Sequence, residues 1–118
     1  MRLAILAGLA LAAITVPLVA QQLASPPGDA RRGARLFAET GCYQCHGTLG
    51  QGGGIAGPTI APHVLTYDAF VAQLREPARA MPRYGAEVMS DPEIADIYAY
   101  LRTAPTTPRA ADIRELQR

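Results

Sequence analysis

The apolar positions along the chain predict three amphipathic helices separated by two long loops. The first 20 residues carry one cation, Arg2, followed by an apolar run from Leu3 to Val16 that Pro17 breaks. With the small Ala20 ahead of the polar Gln21 and Gln22, this pattern predicts a signal peptide over residues 1–20. Left uncut it would act as an anchor. Leu3–Ala20, at 18 residues, stands at the lower limit for a membrane span and is weakened by Gly8, Thr15 and Pro17. Residues 21–28, with Pro26 and Pro27, read as a linker. Asp29 then caps a first helix whose small or apolar positions are Ala30, Gly33, Ala34 and Phe37, ending at Gly41.

From Gly47 to Pro62 the glycines at 47, 50, 52, 53, 54 and 57 predict a long loop without regular structure, and loops of that length in small domains usually serve a function. The second helix has Thr66 as cap, a Leu65–Phe70 staple, and Tyr67, Phe70, Val71 and Leu74 on one face; Pro77 stops it near Glu76. A second loop, Pro77–Met89, leads to Ser90-Asp91-Pro92-Glu93, a capping box that starts the third helix with Ile94, Ile97, Tyr98 and Leu101 as its apolar face. After Pro105 and Pro108 the chain is a short charged tail, residues 105–118. No stretch alternates apolar and polar residues as a strand does, so the fold class is all-α.

Composition narrows the function. The full chain of 118 residues has 11 basic side chains, all arginine, against 10 acidic ones; without residues 1–20 the balance is 10 to 10. A neutral domain has no long-range field for nucleic acid, and none is expected as a partner. The remaining 98 residues are few for a self-sufficient core, since domains of this size bury only roughly 60 to 65% of their unfolded surface, and a disulfide, metal or cofactor often completes them.

The two cysteines lie in Cys42-Tyr43-Gln44-Cys45-His46. Three apart with a histidine directly following, they have the spacing of a c-type haem attachment site, in which both thiols bond the porphyrin and the imidazole reaches the iron. A thioredoxin-like dithiol would need a preceding strand. A zinc site from Cys42, Cys45, His46 and His63 lacks the usual spacing, and a disulfide across so short a loop would stabilise little.

Residues 28–104 resemble the class I monohaem cytochrome c family. The resemblance rests on the haem motif, on Gly33 and Phe37 facing Tyr100 and Leu101 as the family's contact between N- and C-terminal helices, on Gly57-Pro58, and on Met81-Pro82 followed by Tyr84. It implies a cytochrome c-like fold, with three main helices and large loops wrapped around one covalent haem c per chain. It also implies His46 as the proximal iron ligand, with the Pro58 carbonyl accepting from its other ring nitrogen. Met81, 35 residues after His46, would be the distal ligand. Met89 and His63 are the other candidates, although Met89 is explained by a staple with Ile94. Arg75, Arg79 and Arg83 surround the Met81 loop and are expected as a solvated face or as partners of haem propionates rather than as a docking rim.

With both axial positions filled, the expected function is one-electron carriage in the periplasm, between a redox protein donor and acceptor, and not enzymatic turnover. The chain would be a monomer or a subunit of a redox complex, touching a membrane only through an uncut N-terminal segment. The alternatives are a haem subunit of a periplasmic dehydrogenase or oxidase complex and, less favoured, a haem sensor or peroxidase with an open sixth position.

Overall fold

The computed structural model describes residues 25–53, 55–106, 108 and 110–117. The signal peptide expected over 1–20 lies outside them. Among the described residues there are four α-helices and no strand: α1 (Ala30–Glu39), α2 (Tyr43–His46), α3 (Tyr67–Arg75) and α4 (Asp91–Thr103). The tail holds two single-turn 3-10 helices, Ala110–Asp112 and Arg114–Gln117.

Each main helix starts where the sequence places a cap. The Asp29 carboxylate accepts from the backbone N–H groups of Arg31 (2.8 Å) and Arg32 (3.1 Å), satisfying two of the four donors a helix start leaves open. At α4 the Glu93 carboxylate accepts from both the backbone N–H and the hydroxyl of Ser90, each at 2.7 Å. The start of α3 differs from expectation. Thr66 occupies the N-cap position, yet its side chain makes no capping bond. Leu65 is 55% exposed rather than packed in a staple, and Phe70 packs on Tyr98, whose ring centre lies 5.4 Å from its own. Leu65 contributes its carbonyl instead, which accepts from the Tyr98 hydroxyl at 2.8 Å.

α1 crosses α4 at Gly33. A Cβ there would lie 2.0 Å from the Asp96 carbonyl oxygen, so the helices touch backbone to backbone, and only glycine permits it. One turn on, the rings of Phe37 and Tyr100 meet at 5.6 Å. The same crossing buries a charge that the apolar periodicity does not announce. Asp96, 1% exposed, accepts from the Asp29 backbone N–H at 2.7 Å and from the Arg32 guanidinium through Nε and, at 2.9 Å, Nη2. The Arg32 hydrogen bond, helped by the Asp29 N–H, holds the Asp96 carboxyl below its ordinary value of 3.8.

The core gathers Phe37, Phe70, Leu74, Met89, Ile94, Ile97, Tyr98 and Leu101, with Ala61 and Ala104 at its edge. Burial of each large member stabilises the fold by roughly 1.5–3 kcal/mol relative to exposure. Leu36, Cys42, Ile60, Val64, Tyr67, Val71, Met81, Tyr84 and Tyr100 pack against this core while remaining half-buried.

Candidate functional site

The site is built on α2, a single helical turn that follows directly from the end of α1. The N–H of His46 donates to the Cys42 carbonyl (3.0 Å) and that of Gly47 to the Tyr43 carbonyl (2.9 Å). One turn sets residues three apart on one side, so Cys42 and Cys45 share a face, as their spacing requires. Cys42 is half-buried, with its Sγ 3.3 Å from the Thr40 hydroxyl, which in turn bonds the Leu36 carbonyl at 2.7 Å. Burial pushes the Cys42 thiol up. Cys45 is exposed.

The glycine-rich loop is irregular, as its composition predicts, yet it is firmly attached to α2. The Gly52 N–H donates to the His46 carbonyl at 2.7 Å, and the Ile60 and Ala61 N–H groups both donate to the Gly50 carbonyl, at 2.8 and 3.0 Å. Gly50 has φ of +73°, and a Cβ on it would meet Ala61 and the Leu101 side chain at 2.9 Å. Folding back in this way brings the Pro58 carbonyl to 2.9 Å from His46 Nδ1. A carbonyl can only accept, so Nδ1 carries the proton and the lone pair of His46 is on Nε2. A bond of this kind fixes a ring and raises its basicity as a metal ligand.

Met81 sits in the 77–89 loop, half-buried against the core, and its Sδ lies 3.6 Å from Gln73 Nε2. The other two ligand candidates are placed differently. Met89 is 1% exposed inside the core with Ile94, and His63 is exposed. The loop is held by bonds that sequence reasoning missed. Arg75 Nη1 donates to the carbonyls of Tyr84 (2.8 Å) and Met89 (2.7 Å), Nη2 pairs with Asp91, and the Arg75 carbonyl accepts from Arg83 Nε at 2.9 Å. This corrects the expected solvated face for Arg75 alone. Arg75 is 19% exposed and its donors are turned inward, because it ends α3 where carbonyls converge; Arg79 and Arg83 stay exposed. A late-helix arginine ahead of Pro77 was the available clue. The Tyr84 hydroxyl closes the other side of the loop, donating to the Thr40 carbonyl at 3.1 Å.

Among the described residues no group of three or more His, Cys, Asp or Glu side chains is arranged to hold a metal ion. No helix among them is long and apolar enough to cross a membrane.

Residues 28–101 match the family described as cytochrome C oxidase, cbb3-type, subunit III. The chain belongs to this family of c-type cytochromes. It is also 35% identical over 86 residues to a cytochrome bc1 complex cytochrome c subunit of Corynebacterium diphtheriae (strain ATCC 700971 / NCTC 13129 / Biotype gravis), an alignment covering 70% of this chain and 30% of that protein. The chain thus spans about a third of that relative's length. No solved structure matches it significantly. Membership implies a haem c cofactor and electron transfer rather than enzymatic turnover. The residues present fit that cofactor. Two thiols lie on one turn, an imidazole is tautomerically fixed with Nε2 as its acceptor, a thioether lies on a separate loop, and Cys42, Ile60, Val64, Met81 and Tyr84 are apolar positions left half-covered.

Proposed function

We propose that this cytochrome is a periplasmic one-electron carrier with one covalently attached haem c. Cys42 and Cys45 would form the thioethers, His46 Nε2 the proximal iron bond and Met81 Sδ the distal one. The observation that carries the assignment is the 2.9 Å contact from His46 Nδ1 to the Pro58 carbonyl, which directs the lone pair to the opposite ring nitrogen. Met81 is preferred over Met89 and His63 because it is half-buried, whereas Met89 is spent in the core and His63 stands in solvent. When bound, the haem iron supplies the reversible Fe(II)/Fe(III) couple; the polypeptide orients the imidazole, holds the thioether and excludes water. The layout that goes with this reading is a signal peptide or anchor over 1–20, a linker over 21–28, the cytochrome c domain over 29–104 and a charged tail over 105–118.

Visible spectra of the ferric and ferrous protein, produced in a host that attaches c-type haem, test the ligand set. A low-spin spectrum with the weak far-red methionine-to-iron band, lost in Met81→Ala, supports it. A high-spin spectrum that shifts on adding carbon monoxide would overturn it and bring forward the sensor or peroxidase alternative.

A second reading, a haem subunit held in a membrane redox complex, draws on the names of the matching family and relative, an oxidase subunit and a bc1 complex subunit. Co-purification with a multisubunit membrane complex favours it; recovery in the soluble periplasmic fraction favours the free carrier.

A further inference from the structure

We infer that Arg75 is a positioning residue that holds the 77–89 loop closed and thereby keeps Met81 on the iron. The inference rests on Met81 being the distal ligand. Arg75 is the last residue of α3, and its guanidinium reaches three chain positions: the carbonyl of Tyr84 within the loop, the carbonyl of Met89 at its end, and the carboxylate of Asp91 at the start of α4. Its own carbonyl accepts from Arg83, and the neighbouring Leu74 carbonyl accepts from the Tyr84 N–H at 2.9 Å. Met81 therefore lies in a short arc, residues 77–83, whose two feet are tied together at the end of α3.

The planar fork of arginine suits this task. It presents several donors in fixed directions, and a charged donor makes a stronger bond to a carbonyl than a neutral one does. The site is half-buried, so water replaces the lost bonds poorly once the guanidinium is removed. The contact between α1 and α4 shares none of these bonds. Loss of Arg75 is therefore expected to lower the free energy of opening the loop more than that of unfolding the helices.

The test uses the haem-loaded full chain as wild type, Arg75→Gln, Arg75→Lys and Met81→Ala. Three quantities are read: the far-red band of the ferric protein, the rate of carbon monoxide binding to the ferrous protein, which waits on methionine release, and helix content by far-UV circular dichroism. Arg75→Gln is expected to keep wild-type helix content at 25 °C, to weaken the band and to bind carbon monoxide at least about tenfold faster, since opening of a local segment sets the rate. Arg75→Lys keeps the charge but loses the fork, and is expected to fall between the two. A structural role without effect on Met81 would lower helix content or its melting temperature while leaving the band and the rate unchanged at 25 °C, which overturns the inference. If Arg75→Gln fails to fold, the lysine variant decides: a wild-type rate overturns the inference and a faster one supports it. A Met81→Ala protein that retains the far-red band instead overturns the ligand assignment itself, and the Arg75 inference with it.

Discussion

The backbone-to-backbone contact at Gly33 makes a prediction whose sign is informative. Gly33→Ala places a Cβ 2.0 Å from the Asp96 carbonyl oxygen, 2.4 Å from its carbonyl carbon and 2.9 Å from the Ile97 nitrogen. All three are backbone atoms of α4, so no side chain can rotate away. Restoring an ordinary nonbonded contact of about 3.5 Å requires the helices to separate by more than about 1 Å. Such overpacking costs about 1–3 kcal/mol, and separation also weakens the Phe37–Tyr100 ring contact, worth about 0.5–1.5 kcal/mol. Opposing this, alanine is favoured over glycine inside a helix by about 1 kcal/mol. The net expectation is a loss centred on about 2 kcal/mol, or about 8–16 °C in Tm for a domain of this size. Thermal melts of the haem-loaded protein followed by far-UV circular dichroism measure it, with Ala38→Gly at an exposed position of α1 as the control for helix propensity alone. A Gly33→Ala protein with an equal or higher Tm would refute the close-packing argument, because propensity would then outweigh the crossing.

Four further outcomes follow from the geometry. Asp96 is held below its ordinary value of 3.8, so its contribution to stability is full above that pH and is lost as pH falls through the lowered folded value; Asp96→Asn should be less stable near neutrality and show a flatter decline below about pH 4 in acid titrations followed by circular dichroism. Gly50→Ala combines a left-handed φ of +73° with contacts of 2.9 Å to Ala61 and Leu101, and a destabilisation of at least about 2 kcal/mol is expected in guanidinium titrations. Met81→Ala should lose the far-red band and bind carbon monoxide readily, whereas Met89→Leu, a substitution of similar volume in the core, should keep the band. The double variant Cys42→Ala/Cys45→Ala, unable to hold haem covalently, is expected to lack a cooperative melt, since half-covered residues such as Ile60, Val64 and Met81 would face water; a sharp haem-free transition would count against this.

Arg75 joins the end of α3 to both halves of a loop that lies beyond it in sequence. Pro77 ends α3 at a fixed point, and the arginine just before it then becomes the anchor for a loop that runs to Met89. The loop's composition gives no hint of that anchoring, and its arginines read from sequence as a solvated face or as partners of haem propionates. What distinguishes the two roles is direction: the donors of Arg75 point at carbonyls of its own chain.

Local chemistry was sufficient for much of this protein. The Asp29 and Ser90 caps, the stop at Pro77, the apolar face of α4 and the Cys42-Tyr43-Gln44-Cys45-His46 motif each depend on residues within one or two helical turns, so their spacing alone identifies them. The contact of Gly33 and Phe37 with the last helix was legible through resemblance to a family, not through periodicity. Other features required the chain to close on itself. The burial of Asp96 depends on Arg32 and the Asp29 N–H, 64 and 67 residues away, and an isolated α4 would leave that carboxylate in water. Leu65 stays exposed while its carbonyl accepts from the hydroxyl of Tyr98, 33 residues on. Short-range sequence determines where helices begin and end and where two thiols and an imidazole share one turn; the crossing of helices distant in sequence decides which polar groups are paired, which apolar ones stay exposed, and how the loop bearing Met81 is held.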